Sequence, residues 1–270
     1  MKVKKRKKKT KVNKFNQNLN MIPFNFKTYD KNVMFIDIET VGKVDSPIMY
    51  DLSITIKSIK TGKVLYKMCF IVANIFNDKD TMTSPFYTKA NDKFYRHKLG
   101  HSKLYQMKPN FEIAEIVNQL IKDYGITTMI AYNCKFDRLG VDLFYERANE
   151  TLELDKVDKV IPNLVKKLVL VDLWQWVYET MGKSQVYKDW CKANNFVTKK
   201  GTNYMSNVET VYKFISKDLD FIERHTGLED LVAEMKIFDA LRKVNPRIKP
   251  NLLGGGHNFF RGCLLRTDLA

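Results

Sequence analysis

The sequence predicts one three-layer α/β domain, in which a mixed sheet of about five strands is flanked by helices. Two patterns lead to this prediction. Three apolar, strand-like segments follow one another early in the chain, and helical patterns then alternate with two more short apolar segments. With 270 residues, 44% of them hydrophobic, the chain can bury one substantial core but is short for two full-sized domains.

The early strands are expected to form an antiparallel meander. The first candidate is Val33 to Ile38, and the next two, Asp51 to Ile59 and Val64 to Ala73, flank a short linker in which Gly62 supplies the hairpin turn. Residues 74–110 show no clear period, so we expect a long functional loop with at most one short helix there.

Helical patterns dominate the rest of the chain. A helix from Phe111 to Tyr124 places apolar residues at positions 113, 116, 117, 120 and 121, and Gly125 is expected to end it. Further on, we predict strands over Thr128–Tyr132 and Leu168–Val171, and helices over Phe136–Ala148, Asp172–Thr180, Ser184–Asn194, Val208–Ile222 and Leu228–Arg242.

The two ends of the chain differ in composition from this domain, which we place at residues 30–243. Residues 1–14 hold nine Lys or Arg and no acid, which leaves +7 of the net charge of +16 for the rest of the chain. Because such a run repels itself, residues 1–29 are predicted to be a basic disordered tail. It is either a solvated appendage or an arm that binds phosphates, and the positive charge of the remaining chain favours the arm. Residues 244–270, which contain prolines and a glycine triplet, are predicted to be an extended C-terminal segment.

The cysteine pattern and the lack of long apolar runs suggest a cytoplasmic protein. Cys69, Cys134, Cys191 and Cys263 form no CxxC pair, which suits reduced thiols better than a disulfide framework or a zinc site. No apolar run approaches the roughly 20 residues of a membrane span, and no apolar segment follows the N-terminal charges as in a secretion signal. We therefore expect a soluble protein with no membrane partner.

The stretch FIDIET, residues 35–40, places two acids inside an apolar strand. Because side chains alternate along a strand, Asp37 and Glu39 share one face, with their Cα atoms roughly 7 Å apart. At an effective dielectric constant near 20, two like charges at that distance repel by about 2.4 kcal/mol. Either this face is open to water or a cation lies between the two acids.

Two further polar stretches follow. In AYNCKFDRLGV a short strand ends at Asn133, and Asp137 lies near the start of the next helix, where the helix dipole alone would also favour an acid. In HTGLEDLVAE, His225 precedes Asp230 by five residues, which on one helix would be about 500° of rotation. We therefore expect His225 in a loop ahead of the helix, with Gly227 permitting the break.

Together these stretches resemble a known family. FIDIET, the NxxFD stretch of Asn133, Phe136 and Asp137, and the HxGxxD stretch of His225 and Asp230 resemble the three motifs of the DEDDh 3′-to-5′ exonucleases. This is the family of the proofreading epsilon subunit of bacterial DNA polymerase III, of ribonuclease T and of oligoribonuclease. The resemblance spans roughly residues 32–240. It departs from the family at Gly227, where Ala is usual, and we expect the glycine to loosen the backbone without removing chemistry.

The resemblance implies a ribonuclease H-like fold that binds two divalent ions, Mg²⁺ or Mn²⁺. By this analogy Asp37 contacts both ions, and Glu39 and Asp230 complete the first ion site. Asp137 serves the second ion, and His225 is the general base that takes a proton from the attacking water. The chemistry agrees, since hard cations prefer carboxylate oxygens and two such ions about 3.5 to 4 Å apart can clamp a phosphodiester. Imidazole, which titrates near pH 6.5 in peptides, suits a base at neutral pH.

Substrate contacts are predicted in two regions. Main-chain amides around Thr40 and Val41 are expected just past the catalytic strand, where such enzymes hold the terminal nucleotide, and Asn133 and Phe136 are further candidates. The second region, FYTKANDKFYRHK at residues 86–98, interleaves aromatic and basic side chains, a composition that stacks bases and pairs with phosphates. Its candidate contacts are Phe86, Tyr87 and Lys89.

These observations predict a metal-dependent 3′-to-5′ exonuclease that releases nucleoside monophosphates from single-stranded DNA ends. One alternative is an RNA exonuclease of the same fold, since the catalytic residues do not detect a 2′-hydroxyl. Another is a noncatalytic nucleic-acid-binding or polymerase-associated module, against which the complete set of acids and His225 argues. The Lys, Asn and Ile richness suits an AT-rich genome, which suggests a bacteriophage enzyme of DNA replication with a polymerase as candidate partner.

Overall fold

The structure is a computed structural model that describes residues 24–83, 89–154, 158–198 and 203–248. The strands are β1 (Phe24–Asn25), β2 (Asn32–Lys43), β3 (Ser46–Ser58), β4 (Val64–Val72), β5 (Tyr105–Lys108), β6 (Thr128–Ala131), β7 (Val169–Asp172) and β8 (Arg247–Ile248). The helices are α1 (Ala73–Phe76), α2 (Lys89–His101), α3 (Asn110–Asp123), α4 (Cys134–Leu154), α5 (Leu173–Val177), α6 (Gln185–Ala193), α7 (Val208–Ser216) and α8 (Gly227–Val244). A 3-10 turn spans Leu164–Lys167, and a π-helical turn over Tyr178–Gly182 continues α5.

Six of the strands form one mixed sheet in the order β5-β4-β3-β2-β6-β7. The long strands β2, β3 and β4 are antiparallel to one another, as the hairpin pattern predicts. The short strands β5, β6 and β7 each run parallel to their neighbour. Strands β1 and β8 pair separately and antiparallel, so Phe24 lies opposite Ile248.

Helices cover both faces of this sheet, which confirms the predicted three-layer α/β class. On one face α3 and α4 bury the side of β2 that carries Met34 and Ile36. On the other face α5, α7 and α8 bury the side that carries Val33 and Phe35. Because β2 is covered on both faces, its apolar residues read as a nearly continuous run in the sequence.

The sheet has six strands rather than about five because the expected loop at residues 74–110 contains regular structure. Helix α2 and strand β5 both lie in it. Helix α2 gives a weak sequence signal, since Tyr95 is the one fully buried side chain among its described residues. Strand β5 is an edge strand in which only Tyr105 is buried. A short element with one buried residue shows no periodicity for a sequence pattern to detect.

The ends of several elements also differ from the predicted bounds. Helix α4 continues to Leu154, six residues beyond the predicted end, whereas α7 stops at Ser216 rather than Ile222. Lys217 follows α7 with a φ of 64°, a left-handed residue that ends the helix. The predicted basic tail falls outside the described residues up to position 23, and so does the C-terminal segment from position 249. No helix of the described residues is long and apolar enough to cross a bilayer.

Candidate metal centre

Strand β2 carries its two acids on the face that helix α8 covers. Ile36 is buried in the core on the opposite face, whereas Phe35 packs edge to face on Phe238 of α8, with ring centroids 5.1 Å apart. Asp37 and Glu39 follow Phe35 on the same face of the strand. The apolar residues thus anchor the strand from both sides while the two acids project towards the start of α8.

A third acid, Asp230, brings the carboxylates together. It lies in the first turn of α8 and is buried. One carboxylate oxygen from each of Asp37, Glu39 and Asp230 lies within 4.8 Å of the others. Asp230 also accepts hydrogen bonds from the backbone N–H of Thr226 at 2.9 Å and of Arg224 at 3.4 Å. The same carboxylate therefore completes the cluster and fixes the loop ahead of the helix.

His225 lies in that loop between the two residues that Asp230 holds. Its side chain is exposed, and it precedes α8 by two residues, as the sequence spacing predicts. Its backbone has a φ of 54°, in the left-handed region that residues other than glycine seldom adopt. One ligand atom from each of Glu223, His225 and Asp230 lies within 4.8 Å of the others. Backbone strain of this kind is common at functional sites, where surrounding contacts enforce it.

Asp137 approaches the cluster from helix α4. It is buried in the first turn of that helix; burial raises the pKa of its carboxyl group, and the nearby backbone N–H of Ile38 in β2 is among the groups that oppose this rise. Just before α4, Asn133 has a φ of 66°, and its side-chain oxygen is buried with no hydrogen-bond partner among the described residues. The structure therefore brings all four acids of the predicted site together at the middle of β2, around Asp37 and Glu39.

Burial and mutual repulsion raise the pKa of these acids. Loss of solvent is the largest cause of the raised pKa of Asp37, Glu39 and Asp137, and neighbouring carboxylates raise the pKa of Asp37 and Glu39 further. Burial raises the pKa of Asp230 only to about 6, because hydrogen bonds from the preceding loop and the nearby His225 oppose it. None of the ion pairs between described residues joins these acids to a Lys or Arg. Two half-buried carboxylates, Asp37 and Glu39, beside the buried Asp137 and Asp230, with no cation of the described residues among them, fit hard divalent ions such as Mg²⁺ or Mn²⁺.

Four more acids surround the cluster, and the sequence analysis missed them: Asp51, Asp172, Glu223 and Glu234. Burial raises the pKa of Asp51 and of Asp172 to about 6, and that of Glu223 to about 7. Asp51 lies opposite Glu39 in the pairing of β3 with β2, and Asp172 caps the N-terminus of α5. Glu234 lies four residues after Asp230 in α8, and this helical spacing is the one sequence signal that could have identified it.

Gly227, the first residue of α8, is required by close packing. A Cβ at this position would lie 2.7 Å from Oγ and 2.8 Å from Cβ of Ser53 in β3. Asp51 accepts a hydrogen bond from the Ser53 hydroxyl at 2.8 Å. Burial raises the pKa of Asp51, and the nearby backbone N–H of Gly227 is among the groups that oppose this rise. The structure thus gives Gly227 a packing role that the sequence did not indicate: without a Cβ, the start of α8 can lie close against Ser53 of β3.

Helix α2 and strand β5 form hydrogen bonds with the loop of His225 and with the first turn of α8. The Tyr95 hydroxyl donates to Asp51 at 2.6 Å, and the Lys98 ammonium donates to Glu229 of α8 at 3.1 Å. The Tyr105 hydroxyl also donates to Glu229. The region that sequence analysis expected to be a loop thus supports the third motif directly.

The predicted substrate contacts have different placements. Thr40 is half-buried and Val41 is buried, and both lie within β2, which continues to Lys43 instead of ending before them. Phe136 is partly buried against the core between the sheet and α4. The expectation that Thr40 and Val41 lie just past the strand is therefore wrong, because pairing with β3 extends β2 to Lys43.

The side chains predicted to contact substrate in the aromatic and basic stretch lie outside the described part of the chain. Phe86 and Tyr87 fall outside the described residues. Lys89 is the first residue of α2, and its side chain also lies outside the described part of the chain.

No protein-family model matches the sequence, and no curated protein matches it either. Among solved structures, the chain is similar to the nuclease domain of 3′hExo, a DEDDh family member bound to rAMP. That similarity has a TM-score of 0.51 at 9% identity and covers 82% of this chain and 96% of the other. A full-length 3′-exonuclease is similar with a TM-score of 0.50 at 8% identity, over 84% of this chain and 90% of the other.

These similarities establish the fold. The six-stranded mixed sheet with helices on both faces is the ribonuclease H-like fold of 3′-exonucleases. The fold that the three sequence motifs imply is therefore confirmed, and it brings Asp37 and Glu39 of the first motif close to Asp230 of the third.

Proposed function

We propose that this protein is a divalent-metal-dependent 3′-to-5′ exonuclease that hydrolyses single-stranded DNA ends to nucleoside monophosphates. The observation that carries the proposal is the convergence of Asp37, Glu39 and Asp230 within 4.8 Å, beside an exposed His225. The fold shared with 3′-exonucleases supports the same class of reaction. A noncatalytic module would not need a full set of clustered acids, two of them buried and two half-buried, whose mutual repulsion costs stability.

The chain's acids divide between two ion sites. Asp37, Glu39 and Asp230 would hold the first ion, and Asp37 with Asp137 would hold the second. Bound Mg²⁺ or Mn²⁺ supplies positive charge to the phosphate and activates a water molecule for attack. Asp230 has a further task, since its hydrogen bonds to the backbone of Arg224 and Thr226 hold the loop of His225 in place.

His225 would act as the general base in this proposal. Its imidazole is exposed, and Asp230 holds the backbone on either side of it, which supports this role. In its neutral form the imidazole accepts the proton that the attacking water loses. The nearby carboxylates of Glu223 and Asp230 would stabilise the imidazolium that results.

The charge of the protein favours a polyanionic substrate. The net charge of +16 attracts nucleic acid, and the basic arm at residues 1–14 would add contacts to phosphates. RNA is the second candidate substrate, because the similar 3′hExo domain was solved with rAMP bound. We extend the proposal to a role in DNA replication in the cytoplasm of a bacterium or a phage-infected host, with a polymerase as candidate partner. The high Lys, Asn and Ile content implies AT-rich codons, which supports a bacteriophage origin.

One assay tests the proposed function. Single-stranded DNA and RNA of matched sequence, labelled at the 3′ or the 5′ end, are incubated with the protein with and without Mn²⁺ or Mg²⁺. We expect the 3′ label to be released first as a mononucleotide, only with metal and faster from DNA. Faster release from RNA would favour the second candidate, and no release from either substrate with either metal would refute the proposed function.

A further inference from the structure

Helix α8 runs antiparallel to β2 in a matching register on the face that carries the acids. Every second residue of a strand advances about 6.6 Å, and every fourth residue of a helix advances about 6 Å. Phe35 of the strand contacts Phe238 of the helix. Four residues further along the strand, Glu39 lies close to Asp230, which precedes Phe238 by eight residues in the helix. Between these two contacts, the same register places Glu234 opposite Asp37.

Glu234 combines deep burial with a carboxylate oxygen that has no hydrogen-bond partner in the described part of the chain, which is unusual for a carboxylate with a purely structural role. Its side chain is 3% exposed, and Oε2 has no hydrogen-bond partner among the described residues. An unpartnered buried carboxylate oxygen is costly, so a core that needed only to be filled would favour an apolar residue here.

Its neighbours are the acids of the second ion site. After burial, Glu234 is the largest cause of the raised pKa of Asp37, and Asp137 is the largest charged cause of the raised pKa of Glu234. Glu234 is thus a close charged neighbour of both Asp37 and Asp137, whereas Glu39 groups with Asp37 and Asp230. Repulsion among these three acids is relieved by a cation in their midst.

On the basis of the proposed function, we propose that Glu234 is a third carboxylate ligand of the second metal ion, together with Asp37 and Asp137. Without it, this ion would be held by one shared and one unshared carboxylate. A third carboxylate adds charge and an oxygen donor, both of which suit Mg²⁺ and Mn²⁺. The orphan Oε2 then has a partner in the loaded protein.

The test compares Mn²⁺ binding to metal-free wild-type protein and to Glu234→Gln, with free Mn²⁺ followed by electron paramagnetic resonance. Glutamine keeps the volume and one oxygen but removes the charge. We expect two ions to bind the wild type, and the variant to lose at least about tenfold in affinity for one of them while the other binds unchanged. The increase in Tm on adding Mn²⁺ should shrink accordingly.

A matched control lies further along the same helix. Asp239 pairs with Lys57 at 2.6 Å, and Lys57 lies opposite Val33, four residues before Asp37 along β2, so Asp239→Asn should bind both ions like the wild type. A Tm of metal-free Glu234→Gln at or above that of the wild type verifies that the variant folds.

The outcomes separate the two proposals. If the wild type binds two ions and Glu234→Gln binds both with unchanged affinity, Glu234 is a structural acid and the inference is wrong, while the proposed function stands. If the wild type binds no Mn²⁺, the proposed function itself fails and the inference fails with it.

Discussion

Replacing Gly227 by Ala should destabilise the protein, although alanine is the better helix former. The added Cβ would lie 2.7 Å from Oγ and 2.8 Å from Cβ of Ser53, closer than non-bonded carbon atoms can approach. Overpacking of this kind costs about 1 to 3 kcal/mol. If Ser53 turns away to make room, its hydrogen bond to Asp51 is lost as well, at a cost of about 1 kcal/mol. We expect a total loss of about 2 to 4 kcal/mol and a Tm lower by roughly 5 to 15 °C.

Thermal unfolding of the metal-free protein measures this effect. Gly100→Ala is the matched control, because Gly100 lies in α2 and a Cβ there meets no atom within 4 Å. That variant should gain about 0.5 to 1 kcal/mol from helix propensity. The double variant Gly227→Ala with Ser53→Gly removes the atoms that clash, so its two substitutions should couple favourably by at least about 1 kcal/mol.

The same substitution should reduce activity more than its stability loss alone explains. Gly227 is three residues from Asp230, so a displaced helix start moves a metal ligand and the loop of His225 together. Rates should fall even at temperatures where the variant is fully folded. Equal Tm values for Gly227→Ala and the wild type, with no coupling to Ser53→Gly, would refute the packing argument.

Four other expectations follow from the site and the charge of the chain. Asp37→Ala should abolish hydrolysis and raise the Tm of the metal-free protein, because it relieves the repulsion among the acids. Mn²⁺ should raise the Tm of the wild type more than that of the variant. An equal effect of Mn²⁺ on both would argue against the metal centre. His225→Ala should slow hydrolysis by about 10² to 10⁴-fold with Mn²⁺ affinity retained, whereas loss of ion binding would make His225 a ligand instead of a base. Burial raises the pKa of Asp51 and Asp172 to about 6, so the folded protein binds more protons than the unfolded chain between about pH 4 and 6. The stability of the metal-free protein should therefore fall as pH rises through that interval. A Tm that rises there would contradict this expectation. Deleting residues 1–14 should weaken DNA binding at low salt and, if about four of the charges contact phosphates, make the slope of log affinity against log salt shallower by roughly 3; an unchanged slope would exclude the arm.

The sequence was sufficient to predict what local patterns encode. Asp37 and Glu39 stand out because two acids interrupt an apolar strand, and the place of His225 in a loop ahead of α8 follows from its spacing to Asp230. Helix α2 was missed because among its described residues only Tyr95 is fully buried, and one residue sets no period.

Other features depend on which elements meet in space. The packing requirement at Gly227 needs Ser53, which is far away in sequence and becomes a neighbour only when α8 lies on β3. Glu234 has a helical spacing to Asp230 that the sequence shows, but its position opposite Asp37 depends on the register of α8 against β2. No local pattern contains that register.

The first turn of α8 has consequences for how this chain can change in evolution. Each residue from Gly227 to Leu231 meets a different neighbour. Gly227 meets β3, Leu228 packs with β4 and α2, Glu229 binds Lys98 and Tyr105, and Leu231 enters the core under α5 and α7.

Substitutions in this turn should therefore be accepted only in pairs. A relative with Ala in place of Gly227 should carry a smaller residue in place of Ser53. A relative that loses Glu229 should also lose its basic and phenolic partners, Lys98 and Tyr105. Covariation between the third motif and the segment at residues 95–105 is the trace that this shared support would leave among homologues.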